Sequence, residues 1–383
     1  MAKGIYLEKN GLARKVKKIY IGDNEKIARM VKKAYVGVDG IAKLFWNGSQ
    51  EEQGKVVYLG TQSPLTQSLS VLASASVGEY VLFAGGSNGM WGDTPYSTVN
   101  AYSTNLTHST PASLSVARRV LAGASNNNYA LFSGGWKTNR SDCVNTVDAY
   151  NTELTRSTPN SLSSAKFGHS GGNVGNYILF AGGSNYKKYL SNTDAYNINL
   201  TRTSPTSLST ARSMLACANN DNYVLFSGGN SSNASNAVDI YNTNLTKSTP
   251  SGLSIARGSL AGATAGQYML IAGGGTSNWT EGTPQTTIDV YDNNLARTTP
   301  LELSEPKLRH ASTSVKGYAL FAGGTNSSGY SNVVNVFDEN LTRIIPDSLS
   351  VGRTLLCGGS VGNYALFAGG ETVTNIVDGY KLN

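Results

Sequence analysis

Short runs in which nearly every residue is apolar recur seven times along this chain, each closing on a glycine pair. They are Tyr80 to Gly86, Tyr129 to Gly135, Tyr177 to Gly183, Tyr223 to Gly229, Tyr268 to Gly274, Tyr318 to Gly324 and Tyr364 to Gly370, with successive copies 45 to 50 residues apart. Consecutive apolar positions, as in Ile178-Leu179-Phe180, predict a strand covered on both faces. The glycines permit positive φ and close backbone approach, which suits a sharp exit from the strand.

After a variable loop comes a strand of alternating apolar and polar residues ending on an aromatic: Val99 to Tyr102, Val147 to Tyr150, Thr193 to Tyr196, Val238 to Tyr241, Ile288 to Tyr291, Val334 to Phe337 and Val377 to Tyr380. Alternation predicts that it is half-buried. A segment such as Asn151 to Pro159 follows; its turn-forming Asn and Thr, and a proline suited to an edge, predict the outermost strand. Each unit closes on Ser-Leu-Ser-x-Ala-Arg, as at Ser113 to Arg118, and then a run of small residues such as Leu121-Ala122-Gly123-Ala124. Only small side chains fit beside a crowded axis, so this run predicts the innermost strand. Four strands per unit around an axis make an all-β, seven-bladed β-propeller. Only six outer segments lie between the repeats, and the chain stops after the seventh aromatic-ended strand. Lys55 to Leu59, at the opposite end, is the expected closing strand, since pairing it there removes two exposed sheet edges.

The glycine-pair strand end, the aromatic-ended strand and the Ala-Arg before small residues resemble kelch repeats. Lys166 with His169, and Lys307 with His310, are similar to the basic-x-x-His of kelch units. The chain departs from that pattern where leucine replaces the expected outer-strand tryptophan, at Leu106, Leu154, Leu200, Leu245, Leu295 and Leu341. The resemblance spans residues 55 to 383 and implies the kelch-like propeller fold. It implies little about function, because one fold hosts many.

Charge divides the chain. Residues 1 to 50 hold 11 Lys or Arg against 4 Asp or Glu, so the whole net charge of +7 sits there and the remainder is neutral. This segment repeats with a period of 14 or 15: Ile5-Tyr6, Ile19-Tyr20 and Ala34-Tyr35 are in register, followed by Leu12-Ala13, Ile27-Ala28 and Ile41-Ala42. Asn10-Gly11 and Asp39-Gly40 are strong hairpin signals. The expected organisation is a β-hairpin domain over 1–46, a linker over 47–54 and the propeller over 55–383. So small a block with few large apolar residues is expected to associate, as a homo-oligomer or with a larger partner. Lys17, Lys18, Lys32, Lys33, Phe45 and Trp46 are its candidate anchor residues, with an acidic protein surface as the favoured target. Plain solvated faces and nucleic acid stand as weaker readings, the aromatics nearby having structural registers.

Ala13 to Gly22 and Ala28 to Gly37, with the ending Ala42-Lys43-Leu44-Phe45-Trp46, resemble N-terminal modules of tail and other virion proteins from phages and prophages of Gram-positive bacteria. That resemblance implies an anchor attaching the propeller to a virion or phage-tail-like particle, made in the bacterial cytoplasm, with tail or other virion structural proteins as partners. A capsid decoration or head-fibre protein, and a kelch interaction adaptor, are the alternatives.

On the face of the glycine-pair loops, six blades carry a basic residue: Arg118, Lys166, Arg212, Arg257, Lys307 and Arg353; the first blade has Leu69. The matching kelch positions look toward the channel mouth and often bind acidic ligands. Alternatively, each bonds loop carbonyls of its own or the next blade. The loops of that face also gather Trp91, Trp136, Trp279, Tyr96, Tyr186, Tyr189 and Tyr330, rings suited to stacking on sugars or to a protein hot spot. A cell-surface glycan or receptor is the expected ligand.

An enzyme is not expected. The chain shows no sialidase-type Asp turn, nucleophile elbow or phosphate loop. His108, His169 and His310 are too scattered for a metal cluster, and no cofactor is expected. Cys143, Cys217 and Cys357 lack metal spacing, and the latter two are expected as buried small residues of inner strands. The Asn-Leu-Thr triplets at Asn105, Asn199, Asn244 and Asn340 match glycosylation sequons but fit turn chemistry. No apolar run approaches the roughly 18 residues of a membrane span, and Met1 is not followed by the apolar stretch of a signal peptide.

Overall fold

The computed structural model describes residues 56–383 apart from 90–93, 140, 278–281 and 373, and in the N-terminal segment the backbone of six strands. The chain divides into two compact units, Met1–Lys55 with Asn383, and Val56–Leu382.

In the first unit, Ile5–Lys9 pairs with Leu12–Val16, Tyr20–Gly22 with Ala28–Met30, and Lys33–Val38 with Ile41–Asn47, all antiparallel. Lys9 faces Leu12 and Val38 faces Ile41, the registers that two-residue hairpin turns require. Lys33, Phe45 and Trp46 occupy these strands; Lys17, Lys18 and Lys32 lie outside the described residues.

The second unit is seven four-stranded antiparallel sheets, the blades of a β-propeller. In the third, typical of them, Ser170–Val174 is innermost, then Tyr177–Ala181, Thr193–Tyr196 and Arg202–Thr203. The innermost strands lie against one another around the axis, the seventh (Cys357–Val361) against the first (Ala73–Val77). The last blade takes Val56–Thr61 as its fourth strand, antiparallel to Val377–Leu382, so the two ends of the propeller chain share one sheet. Tyr58 of that strand donates to Asp378 at 2.6 Å, and its ring packs on Tyr380.

The glycine-pair strands are buried on both faces, and a Cβ is excluded at their ends: on Gly182, at φ +72°, it would lie 2.7 Å from the carbonyl oxygen of Arg212. The aromatic-ended strands differ from the half-buried expectation, because all four residues of Val147–Tyr150 and of Thr193–Tyr196 are buried, the aspartates included. Their tyrosines anchor the segment that enters the blade: the hydroxyls of Tyr102, Tyr150, Tyr196 and Tyr241 donate to the carbonyls of Ser63, Ala112, Asn160 and Thr206 at 2.6 to 2.7 Å. Outer strands are two residues long in five blades, while Arg297–Lys307 runs for 11. The six leucines at the kelch tryptophan position precede the outer strand, in turns with φ near +60°. In those turns Asn197 accepts the N–H groups of Asn199 and Thr201, so the second triplet is fixed by turn bonds.

Candidate functional site

Each connecting segment crosses from one blade to the next, and its basic residue locks the two together. Arg212 donates its backbone N–H to Leu190 and accepts at its carbonyl from Gly183, both on the third blade. Its guanidinium reaches into the fourth blade, 2.8 Å from Asp239 and 3.1 Å from the Phe226 carbonyl. Asp239 also accepts from the N–H and hydroxyl of Ser209 and from Lys247 of the outer strand. Arg118 with Asp148 at 2.7 Å, Lys166 with Asp194 at 3.2 Å, Arg257 with Asp289, and Arg353 with Asp378 at 2.7 Å repeat the arrangement. All six bases are fully buried. The ligand-binding reading of this ring is therefore corrected: no soluble ligand reaches these side chains, whose hydrogen bonds lie within and between blades.

The exceptions obey electrostatics. At the junction of the seventh and first blades the base is Leu69, and the acid is Asn100, which accepts from the N–H of Thr66 and contacts His108 at 2.9 Å. In the sixth blade Asn335 takes the acid's place, and Lys307 finds Glu305 at 3.4 Å instead. None of these six buried bases is left without a nearby carboxylate, as the cost of an uncompensated buried charge requires. Burial lowers the pKa of Arg118, Lys166, Arg212 and Arg257, opposed by their aspartates, and pushes Lys307 down to about 8.

Just beyond each base the chain enters a left-handed conformation. Val71, Val120, Gly168, Met214, Ser259, Arg309 and Leu355 all have φ between +51° and +59°. Each N–H donates to the carbonyl of its counterpart in the preceding blade, at 2.7 to 3.2 Å, closing a ring of seven hydrogen bonds around the axis. For Val71 and Val120 this is strained backbone, held by the ring. Below it Leu72, Leu121, Leu215, Leu260 and Leu356, with His169 and His310 in the two remaining blades, line a mostly apolar cavity of about 250 Å³.

The two histidines differ. His169 lies 2.9 Å from the Ser133 hydroxyl, whereas the blade beside His310 has Ala272 there and, among the described residues, neither ring nitrogen of His310 has a hydrogen-bonding partner. Burial, then Lys307 and Arg257, push His310 down to about 3, and His169 is likewise well below the ordinary value. Both stay neutral through physiological pH.

The aromatic cluster expected on this face is smaller than the sequence suggests. Trp136 is buried, its ring packed 4.3 Å from Phe167 and beneath the Arg119 guanidinium. Tyr96 and Tyr189 are half-buried, and Trp91 and Trp279 lie outside the described residues. Tyr186 and Tyr330, at 62% and 46% exposure, remain available. Cys217 and Cys357 sit on innermost strands but are half-buried, not enclosed as expected, and burial pushes the Cys357 thiol up to about 11.

The opposite mouth of the channel has another character. The fourth residue of each innermost strand is Ser76, Ser125, Asn173, Asn219, Thr264, Ser314 or Ser360, and beside the amides opens a polar cavity of about 540 Å³. Sequence reading did not single out this mouth.

No family model matches this chain, and no curated protein matches it. Among solved structures, that of YjhT superposes with a TM-score of 0.59 at 12% identity, covering 75% of this chain and 99% of that one. At that identity the likeness shows the propeller fold alone.

Proposed function

We propose that this chain is a non-enzymatic structural component of a phage virion or phage-tail-like particle. In this reading the N-terminal hairpins anchor a kelch-type propeller that meets a cell-surface glycan or receptor. The observation that carries it is the division of labour between the two units. Residues 1 to 50, which hold the three hairpins, carry the net charge of +7, as a module docking on an acidic assembly surface would, while the rest of the chain is neutral overall. Within the propeller the buried aspartates and their basic partners are committed to holding blades together, and Tyr186 and Tyr330 are exposed in its loops. The recurrence of Lys166 with His169 and Lys307 with His310 supports the kelch type.

Particles sedimented from a culture that produces this protein provide the test. The full chain should band with them through a density gradient, and a chain lacking residues 1–55 should stay in the soluble fraction. A full chain that never bands with particles overturns the reading.

A further inference from the structure

The geometry points to a binding site for a neutral oligosaccharide at the channel mouth opposite the glycine-pair loops, on the second to sixth blades. This rests on the reading of the propeller as the part that meets a glycan, and it places that contact on the face that sequence reading did not favour. The cavity there, about 540 Å³, falls within the roughly 300–1,000 Å³ of small-molecule sites.

Its lining is built from amides. Asn173 and Asn219 project from adjacent innermost strands, half-buried, and among the described residues neither side-chain amide has a hydrogen-bonding partner. Turn chemistry does not account for them, since both lie within strands. Most other blades place a serine there, and Ser76 illustrates the difference: its hydroxyl donates to the Ser360 carbonyl at 2.6 Å. An amide too long for that role, left half-buried and unpaired, is an unspent donor and acceptor.

The rim beside them is fixed. Asn220 donates to the Gln267 carbonyl and to the Asn293 side chain, both at 2.9 Å, and Asn293 donates to the Gln267 side chain at 3.2 Å. Thr264 donates to the Asn219 carbonyl at 2.6 Å, and its own N–H bonds the Ser314 hydroxyl at 2.7 Å. These bonds tie the fourth, fifth and sixth blades into one preorganised wall, which lowers the ordering cost of binding.

Ligand class follows from the lining. One carboxylate, Asp221, and one ammonium, Lys316, nearly cancel, so the site has no charge with which to select an ion. Side-chain amides present a donor and an acceptor side by side, the pattern that a pair of neighbouring sugar hydroxyls complements. No aromatic ring lines the cavity, so recognition is by hydroxyl edges and not by stacking.

The test is calorimetric titration of the full chain with neutral trisaccharides built from glucose, galactose, mannose or N-acetylglucosamine. At least one should bind, and Asn173→Ser with Asn219→Ser should weaken it by about tenfold or more. Serine is the residue that other blades carry there, so the variant should fold, which its melting curve checks. Tyr186→Ala with Tyr330→Ala, on the other face, should leave binding unchanged. No heat with any trisaccharide, or binding lost only in the tyrosine variant, overturns this site. A protein that binds the sugar here but never bands with particles overturns the particle reading alone.

Discussion

The two mouths of the channel are built from the same seven repeats and solve different problems. At the glycine-pair mouth the blades repeat one backbone device: the same left-handed conformation, the same ring hydrogen bond, a leucine or histidine below it and, at six of the seven junctions, a buried base behind it. At the other mouth the backbone repeats but the side chains do not, running from serine through threonine to asparagine. Sevenfold sameness is what closure of a ring demands, because every junction must bear the same geometry. Where one end of the molecule gives up that sameness in side chains alone, architecture no longer explains the choice. The regular mouth holds the fold, and the irregular one is released from that constraint.

Removing the closing strand should break the regular ring most severely. A chain beginning at residue 56 keeps the fourth strand of the last blade, while one beginning at 62 loses Val56 and Tyr58, exposes the Val377–Leu382 edge and opens Tyr380 and Leu382 to water. The shorter chain should aggregate or melt far below the longer one in calorimetry. Equal melting temperatures would show that the ring does not need its closure.

Acid should act on the same mouth through its histidines. His310 titrates near 3 in the folded chain and near 6.5 when unfolded, so below about 6.5 the unfolded chain binds more protons. Its contribution to stability is therefore intact above 6.5 and is lost as pH falls toward 3. His310→Leu, which copies five other blades, should fold at pH 7 and lose less of its melting temperature between pH 7 and 4.5 than the parent. A smaller effect, of opposite sign, is expected from Ala272→Ser. It supplies His310 with the hydroxyl that Ser133 gives His169, and should stabilise the protein at pH 7 by about 0.5–1.5 kcal/mol in chemical denaturation.

Much of the regular half was legible in the sequence. Glycine pairs, aromatic strand ends and small-residue runs carry their own steric reasons, and the spare strand near residue 56 follows from counting edges. The buried ion pairs were half legible. The six bases stood out, but the aspartates of the alternating strand passed for a solvent face, because alternation cannot tell water from a buried partner. The signal was present all the same: Leu69 and Asn100 depart from the repeat together, as a charge and its counter-charge must. Trp136 misled because its place in a loop after a glycine pair says nothing of Phe167 and Arg119, which close over it from a neighbouring segment. The amide mouth was illegible since Asn173 and Asn219 lie in separate repeats and become neighbours only when the blades stack.

That the basic ring is architecture is tested most directly by a double-mutant cycle at one junction. Asp239→Asn leaves Arg212 buried without its counter-charge, and Arg212→Leu strands Asp239 beside Lys247 alone. Each should cost about 3–5 kcal/mol in chemical denaturation. The double variant copies the natural Leu69 and Asn100 junction and should regain most of that loss. If Arg212→Leu alone is as stable as the parent, the arginine is not a lock and the account fails at its centre.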